Sequence, residues 1–386
     1  MPTGLEEFRA HLRADKKQGR AILIVSAILF AALIVLSLCV CYDTDTVTYE
    51  HTLYLLTPLQ AAKNVFRYVK YEFSFYVLGL YRDDTWWAEV AQLAATNTFI
   101  TGEYLSQLVL TILSGAVLSL SGAVYQSAMR NPMAVPTMLG VNSGVNLAQV
   151  LMVGMFGSEV YNMMGMYYAS SYLMSAAVLA VILLCGKVAG GKHMSVVDML
   201  LAGTVINRLL NILINYYRDA MSETNLLVYE ELSEKTYSAL NTIRSIGVMA
   251  GVCVLILIPV FSMRFSMNTL SFDDEDVRCL GVRPTAMRLY AIIAGAILTS
   301  SAMIHYGNIG MLALMVPHIC RYVFGADFRK VLTTSAFYGA FLLTIGWFVS
   351  EFTYIGYYQI PVGSILSIIT LPVILIFNAK QRHGWD

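Results

Sequence analysis

Residues 21–41 read AILIVSAILFAALIVLSLCVC, an unbroken run without a charged side chain. At 1.5 Å per residue a helix of this length is about 31 Å long, which matches the hydrocarbon thickness of a bilayer. Arg9, Arg13, Lys16, Lys17 and Arg20 precede the run. That basic lead resembles the start of a secretory signal. The run is long for one, however, and it ends without a small-x-small cleavage site, so it is read as a retained first span.

Working outward, nine more apolar runs follow, at 104–128, 138–156, 163–186, 196–217, 242–262, 286–304, 309–323, 331–351 and 361–378. The eighth span, 309–323, is short enough to need its neighbours to shield its ends. Composition agrees: 57% of the 386 residues are hydrophobic and only 13% are charged, with a mean hydropathy of +0.63. A soluble domain spends about a quarter of its residues on charge. The expected fold is therefore all-α, a polytopic membrane protein with about ten transmembrane helices. Its expected parts are an N-terminal segment 1–20, the first helix 21–41, an extended segment 42–103, a nine-helix core 104–378 and a tail 379–386.

Charge placement sets an expected orientation. With the N-terminus inside, seventeen Lys and Arg fall on the inner side, seven on the outer side, and Arg208 lies within a span. Inner loops of membrane proteins carry such an excess. Both termini are then cytoplasmic. Of the two long outer segments, 42–103 mixes aromatic and charged residues and suits short interfacial helices, while 218–241 is acidic. The net charge of zero and the lack of a basic tract argue against nucleic acid as a partner. The six cysteines show neither a disulfide framework nor metal-ligand spacing, so no metal site is expected.

Several motifs stand out. Gly115, Ser119 and Ala123 recur every four residues beside Gly122, a spacing that lets helices approach closely in lipid; a pathway role is the other reading. Arg130-Asn131-Pro132-Met133-Ala134-Val135-Pro136 must turn the chain, because neither proline continues a regular helix. The run Ser271 to Val282 suits a short surface helix. Ser271 is its expected N-cap, Asp273, Asp274, Glu275 and Asp276 lie near its start, and Gly281 ends it. Phe272, Val277 and Leu280 are then available to insert into a partner, although a plain solvated turn also fits. Asn207, Asn211 and Asn215 share one face of the fifth span with Arg208 beside them, a candidate lining for a solute path or a set of interhelical hydrogen bonds. His318 has no carboxylate or second ligand nearby in sequence and reads as structural. Gly190-Gly191-Lys192-His193 lacks the spacing of a phosphate loop, and no hydrolase or metalloprotease motif is present.

Taken together, Gly122 to Gln126, Arg130 to Ala134, Leu201-Ala202-Gly203 and Asp276 to Val282 resemble the permease subunits of bacterial ABC importers for iron–siderophore complexes, haem and vitamin B12. The resemblance is strongest at Gly307-Asn308-Ile309-Gly310, Val316 to Arg321 and Pro361-Val362-Gly363, and it covers most of 104–378. It implies the type II importer permease fold (FecCD-like), with Gly122, Gln126, Asn131, Pro132, Pro136, Gly307, Gly310, Pro317, His318, Arg321, Pro361 and Gly363 as its structural motif. It also implies a second permease subunit, identical or homologous, two cytoplasmic ATP-binding subunits and an extracytoplasmic solute-binding protein. Phe272, Asp273, Asp274, Glu275, Asp276, Val277, Arg278, Leu280 and Gly281 would couple to the ATPase, where ATP and Mg2+ would bind; this chain would hold no cofactor and hydrolyse nothing. Asn207, Arg208, Asn211 and Asn215 would lie on the path.

The sequence departs from the resemblance on the outer side. Where relatives commonly carry Arg-x-Pro-Arg, this chain has Tyr104-Leu105-Ser106-Gln107, and at the usual Asp and Arg positions near the end of the ninth span it has Trp347 and Glu351. Such arginines meet a binding protein in relatives, which makes Glu103, Tyr104, Gln107 and Glu351 the candidate docking residues here. The docking partner would then present basic residues, or 42–103 would form part of the dock. An ATP-independent secondary transporter is the rival class, disfavoured by spans that hold almost no carboxylate and by the lack of an internal repeat.

Overall fold

The computed structural model describes residues 4–44, 51–76, 98–190, 196–234, 242–309, 311–355 and 358–382. It divides into two compact units, Met1–Val109 and Leu110–Asp386. In chain order the elements are α1 (Gly4–Cys39), β1 (Val40–Thr44), β2 (His51–Leu55), α2 (Pro58–Tyr76), α3 (Thr98–Met129), α4 (Val141–Phe156), α5 (Met164–Gly190), α6 (Val196–Asp219) and α7 (Glu223–Glu234). They continue with α8 (Thr242–Ser262), α9 (Arg264–Thr269), α10 (Asp274–Cys279), α11 (Pro284–Tyr306), α12 (Leu312–Phe324), α13 (Phe328–Glu351), β3 (Tyr354–Ile355), β4 (Tyr358–Gln359) and α14 (Val362–Arg382).

Each expected span coincides with a helix, and the strands form two small antiparallel hairpins. Among the described residues, seven apolar stretches are long enough to cross a bilayer; one of them, Val141–Val188, folds as α4 and α5 around a 3-10 bend at Gly157–Met163. The helices α12 and Val362–Pro372 of α14 are shorter. The segment 1–20 is not separate from the first span, because α1 runs without a break from Gly4. The acidic 218–241 loop contains α7, whose Val228, Tyr229 and Leu232 are buried against residues of α4, α5 and α6.

Within the larger unit, α11 is the hub. Its residues enter four apolar clusters: Leu298 and Ala302 in one, Met303 and Ile304 in the next, Met287 and Ala291 in a third, Ile292 and Ala296 in the fourth. Its apolar window is 72% buried and that of α3 is 78%, against 11% for α1 and 17% for α6. The last two therefore present most of their apolar surface to lipid or to another protein.

Close approach explains the small residues of α3. A Cβ on Gly115 would collide with the backbone of Gly339 in α13, and one on Gly122 would collide with the carbonyl of Ala313 in α12. Ser119 faces Gly339 from the same stripe. Packing accounts for this pattern. Apolar burial gives helices little reason to associate in lipid, so contact between backbones must supply the cohesion. Hydroxyl pairs add to it. Thr299 Oγ1 donates to Ser121 Oγ at 2.9 Å, Tyr172 Oη meets Ser301 Oγ at 2.8 Å, and Ser175 Oγ meets Ser300 Oγ at 2.7 Å, tying α3 and α5 to α11.

Candidate functional site

The segment between α8 and α11 folds as two short helices held by charged side chains. Asn268 in α9 donates through Nδ2 to Asp327 Oδ1 at 2.8 Å and accepts the Phe328 amide at 2.7 Å. Asp327 caps α13, accepting the Arg329 amide at 3.0 Å. The Arg329 side chain, together with Asn268, holds the Asp327 carboxyl well below the usual carboxylate range. This seats α9 on the start of α13.

The following loop is clamped by Arg130. This residue ends α3 with φ +49°, the sole positive φ at a non-glycine position among the described residues. An L side chain in the left-handed region costs about 1–2 kcal/mol, which is why glycine usually ends helices there. The side chain makes compensating contacts: Nε donates to Leu270 O at 2.5 Å, Nη2 donates to Phe272 O, and Nη2 lies 2.9 Å from Asp274 Oδ1. Arg288 approaches Asp274 from α11 in a two-pronged pair, at 2.6 and 3.1 Å. Hydrogen bonding from Arg288, and its charge together with those of Arg130 and Arg278, holds the Asp274 carboxyl below its ordinary range. Asp274 thereby joins the end of α3 to the first turns of α11.

Ser271 is not the cap of α10. Its hydroxyl donates back to Asn268 O at 2.8 Å, and Asp273, extended at φ −65° and ψ 153°, occupies the N-cap position. Val277 is not available to a partner either. It is fully buried, because the six-residue α10 turns its apolar side onto the bundle. Phe272 and Leu280 do project, at 55% and 59% exposure, with Asp273, Glu275, Asp276 and Arg278 exposed around them. Gly281, at φ +77°, ends the helix; the Gly281 amide bonds to Arg278 O and that of Val282 to Val277 O.

The asparagine face of α6 divides in two. Asn207 Nδ2 lies 3.2 Å from both Thr137 O and Met138 O, and Asn207 Oδ1 accepts from Ser143 Oγ at 2.9 Å. One turn earlier, a Cβ on Gly203 would collide with Met138 O. Asn207 therefore fastens α6 to the 3-10 turn Pro136–Leu139, six residues beyond Arg130. Arg208, Asn211 and Asn215 stay exposed.

The remaining motif residues are structural in their contacts. Gln126 Nε2 donates to Leu314 O at 3.1 Å, Asn131 Oδ1 accepts the Met133 amide at 2.9 Å, and Pro136 is buried as the first residue of its turn. Gly307, at φ +84°, closes α11, while a Cβ on Gly363 would stand 2.6 Å from Asn308 O. Pro317 is buried inside α12, and His318 and Arg321 are half-buried. Pro132 is exposed and Pro361 half-buried; Gly310 and the side chain of Glu103 lie outside the described residues. Tyr104 is buried, which removes it from any docking surface, and so is Trp347; Gln107 and Glu351 are half-buried.

Sequence reasoning missed the clamp, because Arg130 and Asp274 stand 144 residues apart. It also missed His305, which is 1% exposed and tilted against Tyr168 with ring centroids 4.6 Å apart. No group of three or more His, Cys, Asp or Glu able to hold a metal occurs among the described residues.

A sequence profile of the FecCD transport family matches residues 73–380. The chain belongs to this family. Among similar FecCD proteins is a probable iron chelatin transport system permease protein of Helicobacter pylori strain J99, 30% identical over 313 residues, spanning 77% of this chain and 90% of that one. The ferric enterobactin transport system permease protein FepD of Escherichia coli K12 is 28% identical over 295 residues, 75% of this chain and 85% of that one. The hemin transport system permease protein HmuU of Yersinia pestis is 28% identical over 285 residues, 72% and 82% respectively. A transporter assigned to the metal-chelate ABC type, solved in an inward-facing conformation, superposes with a TM-score of 0.64 at 22% identity, covering 84% of this chain and 99% of that one. The FecCD chain described here is thus an integral membrane protein with the fold of an ABC transporter permease.

Proposed function

We propose that this chain is the permease subunit of an ATP-driven importer, providing the path for an iron–siderophore-type complex delivered by an extracytoplasmic binding protein. Haem is the second reading, favoured by the likeness to a hemin permease, and cobalamin a third. The chain sits in a bacterial cytoplasmic membrane with both termini inside. It pairs with a second permease subunit and two ATPases, which bind ATP and Mg2+ and carry out hydrolysis.

The observation that carries this reading is the clamped loop. Phe272 and Leu280 project from an acidic turn that Arg130 and Arg288 tie to α3 and α11. An ATPase gripping Phe272 and Leu280 therefore moves the two most buried helices of the larger unit. The motion continues from Arg130 through the Pro136–Leu139 turn to Asn207 and α6, whose exposed Asn211, Asn215 and Arg208 border the path. ATP binding biases two arrangements of this connected block, and hydrolysis resets them. Gln107 and Glu351 contribute to the binding-protein dock, where Glu351→Arg lowers affinity most at low salt, since screening is weakest there.

Mass spectrometry of the complex purified in mild detergent tests the assignment. Two permease chains with two ATPase chains support it, and a Phe272→Cys variant should cross-link to the ATPase. A stable complex without ATPase, with uptake indifferent to ATP, would return the chain to the secondary transporters.

A further inference from the structure

The smaller unit carries a helix whose position at the bilayer follows from its own bonding. The apolar part of α1, Gly19–Cys39, is 21 residues long, about 31 Å, and its one charge, Arg20, stands at the first end, so that its two ends lie at the two edges of the hydrocarbon. From Cys39 the chain leaves through β1 and returns through β2, with Val40 paired to Leu55. The Leu56 amide then bonds to Cys39 O at 2.8 Å. The chain is thereby brought back to the bilayer edge immediately before α2 begins.

The start of α2 is locally specified. Thr57 and Gln60 form a reciprocal cap: the Thr57 amide donates to Gln60 Oε1 at 3.0 Å and the Gln60 amide to Thr57 Oγ1 at 3.4 Å. Pro58 takes the first helical position. Helical spacing then sorts the side chains. Ala61, Asn64 and Tyr68 are buried on one side. On the other, Leu59, Phe66 and Val69 are 66%, 73% and 50% exposed, with exposed Lys63 and Arg67 along one margin. Four ionisable residues, Lys63, Arg67, Lys70 and Glu72, keep this helix from crossing the hydrocarbon. A helix that starts at the bilayer edge, with one side buried in protein and the other an apolar strip bordered by cations, matches an interfacial helix.

We propose that the Leu59–Phe66–Val69 face of α2 lies in the headgroup region of the membrane, with Lys63 and Arg67 on anionic phospholipid. Charge selects this occupant. Basic side chains reaching outward beside an apolar strip suit phosphate above and acyl chain below. The helix fixes the height and rotation of α1, whose apolar window is only 11% buried.

Photocross-linking tests this in the full chain with its associated subunits, in nanodiscs of equal parts phosphatidylethanolamine and phosphatidylglycerol. Benzoylphenylalanine is placed at Phe66, at Gln60 on the polar side, and at Ile28 as a control on exposed α1. Lipid-mass adducts are expected at Phe66 and Ile28 but not at Gln60. With Lys63→Glu and Arg67→Glu combined, the Phe66 yield should fall about tenfold while the Ile28 yield holds. A protein-sized adduct at Phe66 would show a docking surface for another subunit and overturn the proposal. So would a Phe66 yield no greater than that at Gln60 while Ile28 still labels.

Discussion

Replacing Arg130 separates two opposed energies. Its side chain, 31% exposed, donates to the carbonyls of Leu270 and Phe272; hydrogen bonds from a charged donor contribute roughly 1.5 kcal/mol each at the lower end appropriate to this exposure. The ion pair with Asp274 adds about 0.5 kcal/mol, because both groups reach water. Against this stands the left-handed backbone, costing about 1–2 kcal/mol for any residue with a Cβ. Arg130→Gly loses the clamp but recovers the backbone cost, so the loop loosens by about 2 kcal/mol, some 30-fold. Arg130→Ala loses the clamp and keeps the cost, loosening it by about 3.5 kcal/mol, some 300-fold. The assay is hydrogen exchange of amides 271–282 in the purified chain, with the middle of α11 as internal reference. The expected order of protection is Arg, then Gly, then Ala. In the proposed complex with ATPase subunits, ATP hydrolysis by those subunits should persist with both variants, while less solute is imported per ATP. Protection unchanged in both variants, or Ala better protected than Gly, would refute the reasoning.

Three further predictions address the same unit. Asn207→Leu, which strands the carbonyls of Thr137 and Met138, should lower stability by about 1–3 kcal/mol in a thermal melt, whereas Asn211→Leu should leave the melt unchanged and reduce uptake; the reverse pattern would exchange their roles. Gly339→Leu forces a side chain into the backbone of Gly115 and should cost at least about 3 kcal/mol or block assembly, read as loss of folded protein in detergent; a normal yield and melt would show that α3 and α13 can separate freely. The depressed pKa of Asp274 gives the loop stability that is fully present above about pH 4, the unfolded value, and is lost as pH falls through the lower folded value. Loop protection should therefore be flat between about pH 5 and 8, after correction for intrinsic exchange; a fall within that window would assign the linkage to another group.

The spans were legible because a bilayer demands long apolar runs, and the packing role of Gly115 and Ser119 because small residues at helical spacing have few other uses. Other readings failed where partners are distant in sequence. For Asn207 the sequence left path lining and interhelical hydrogen bonding both open, since the two carbonyls it serves lie in a turn about 70 residues earlier. Val277 looked exposed because a six-residue helix has no periodicity from which to read its buried side. Ser271 looked like a cap because a serine beside an acidic run has the right composition, yet its hydroxyl found Asn268 O first. Nothing local marks Arg130 as a clamp. Its unusual backbone conformation became meaningful only beside the loop it holds.

The hydroxyl pairs of α11 bear on biogenesis. Thr299, Ser301 and Ser300 meet partners 178, 129 and 125 residues earlier in the chain. During synthesis α3 and α5 therefore reach the membrane before the helix they pair with, and Ser121 can meanwhile donate to Leu118 O of its own helix. A chain that stops upstream of Pro284 lacks α11 and with it the partner helix of all three pairs. The three hydroxyl pairs are thus among the last contacts of the larger unit to form as the chain is made.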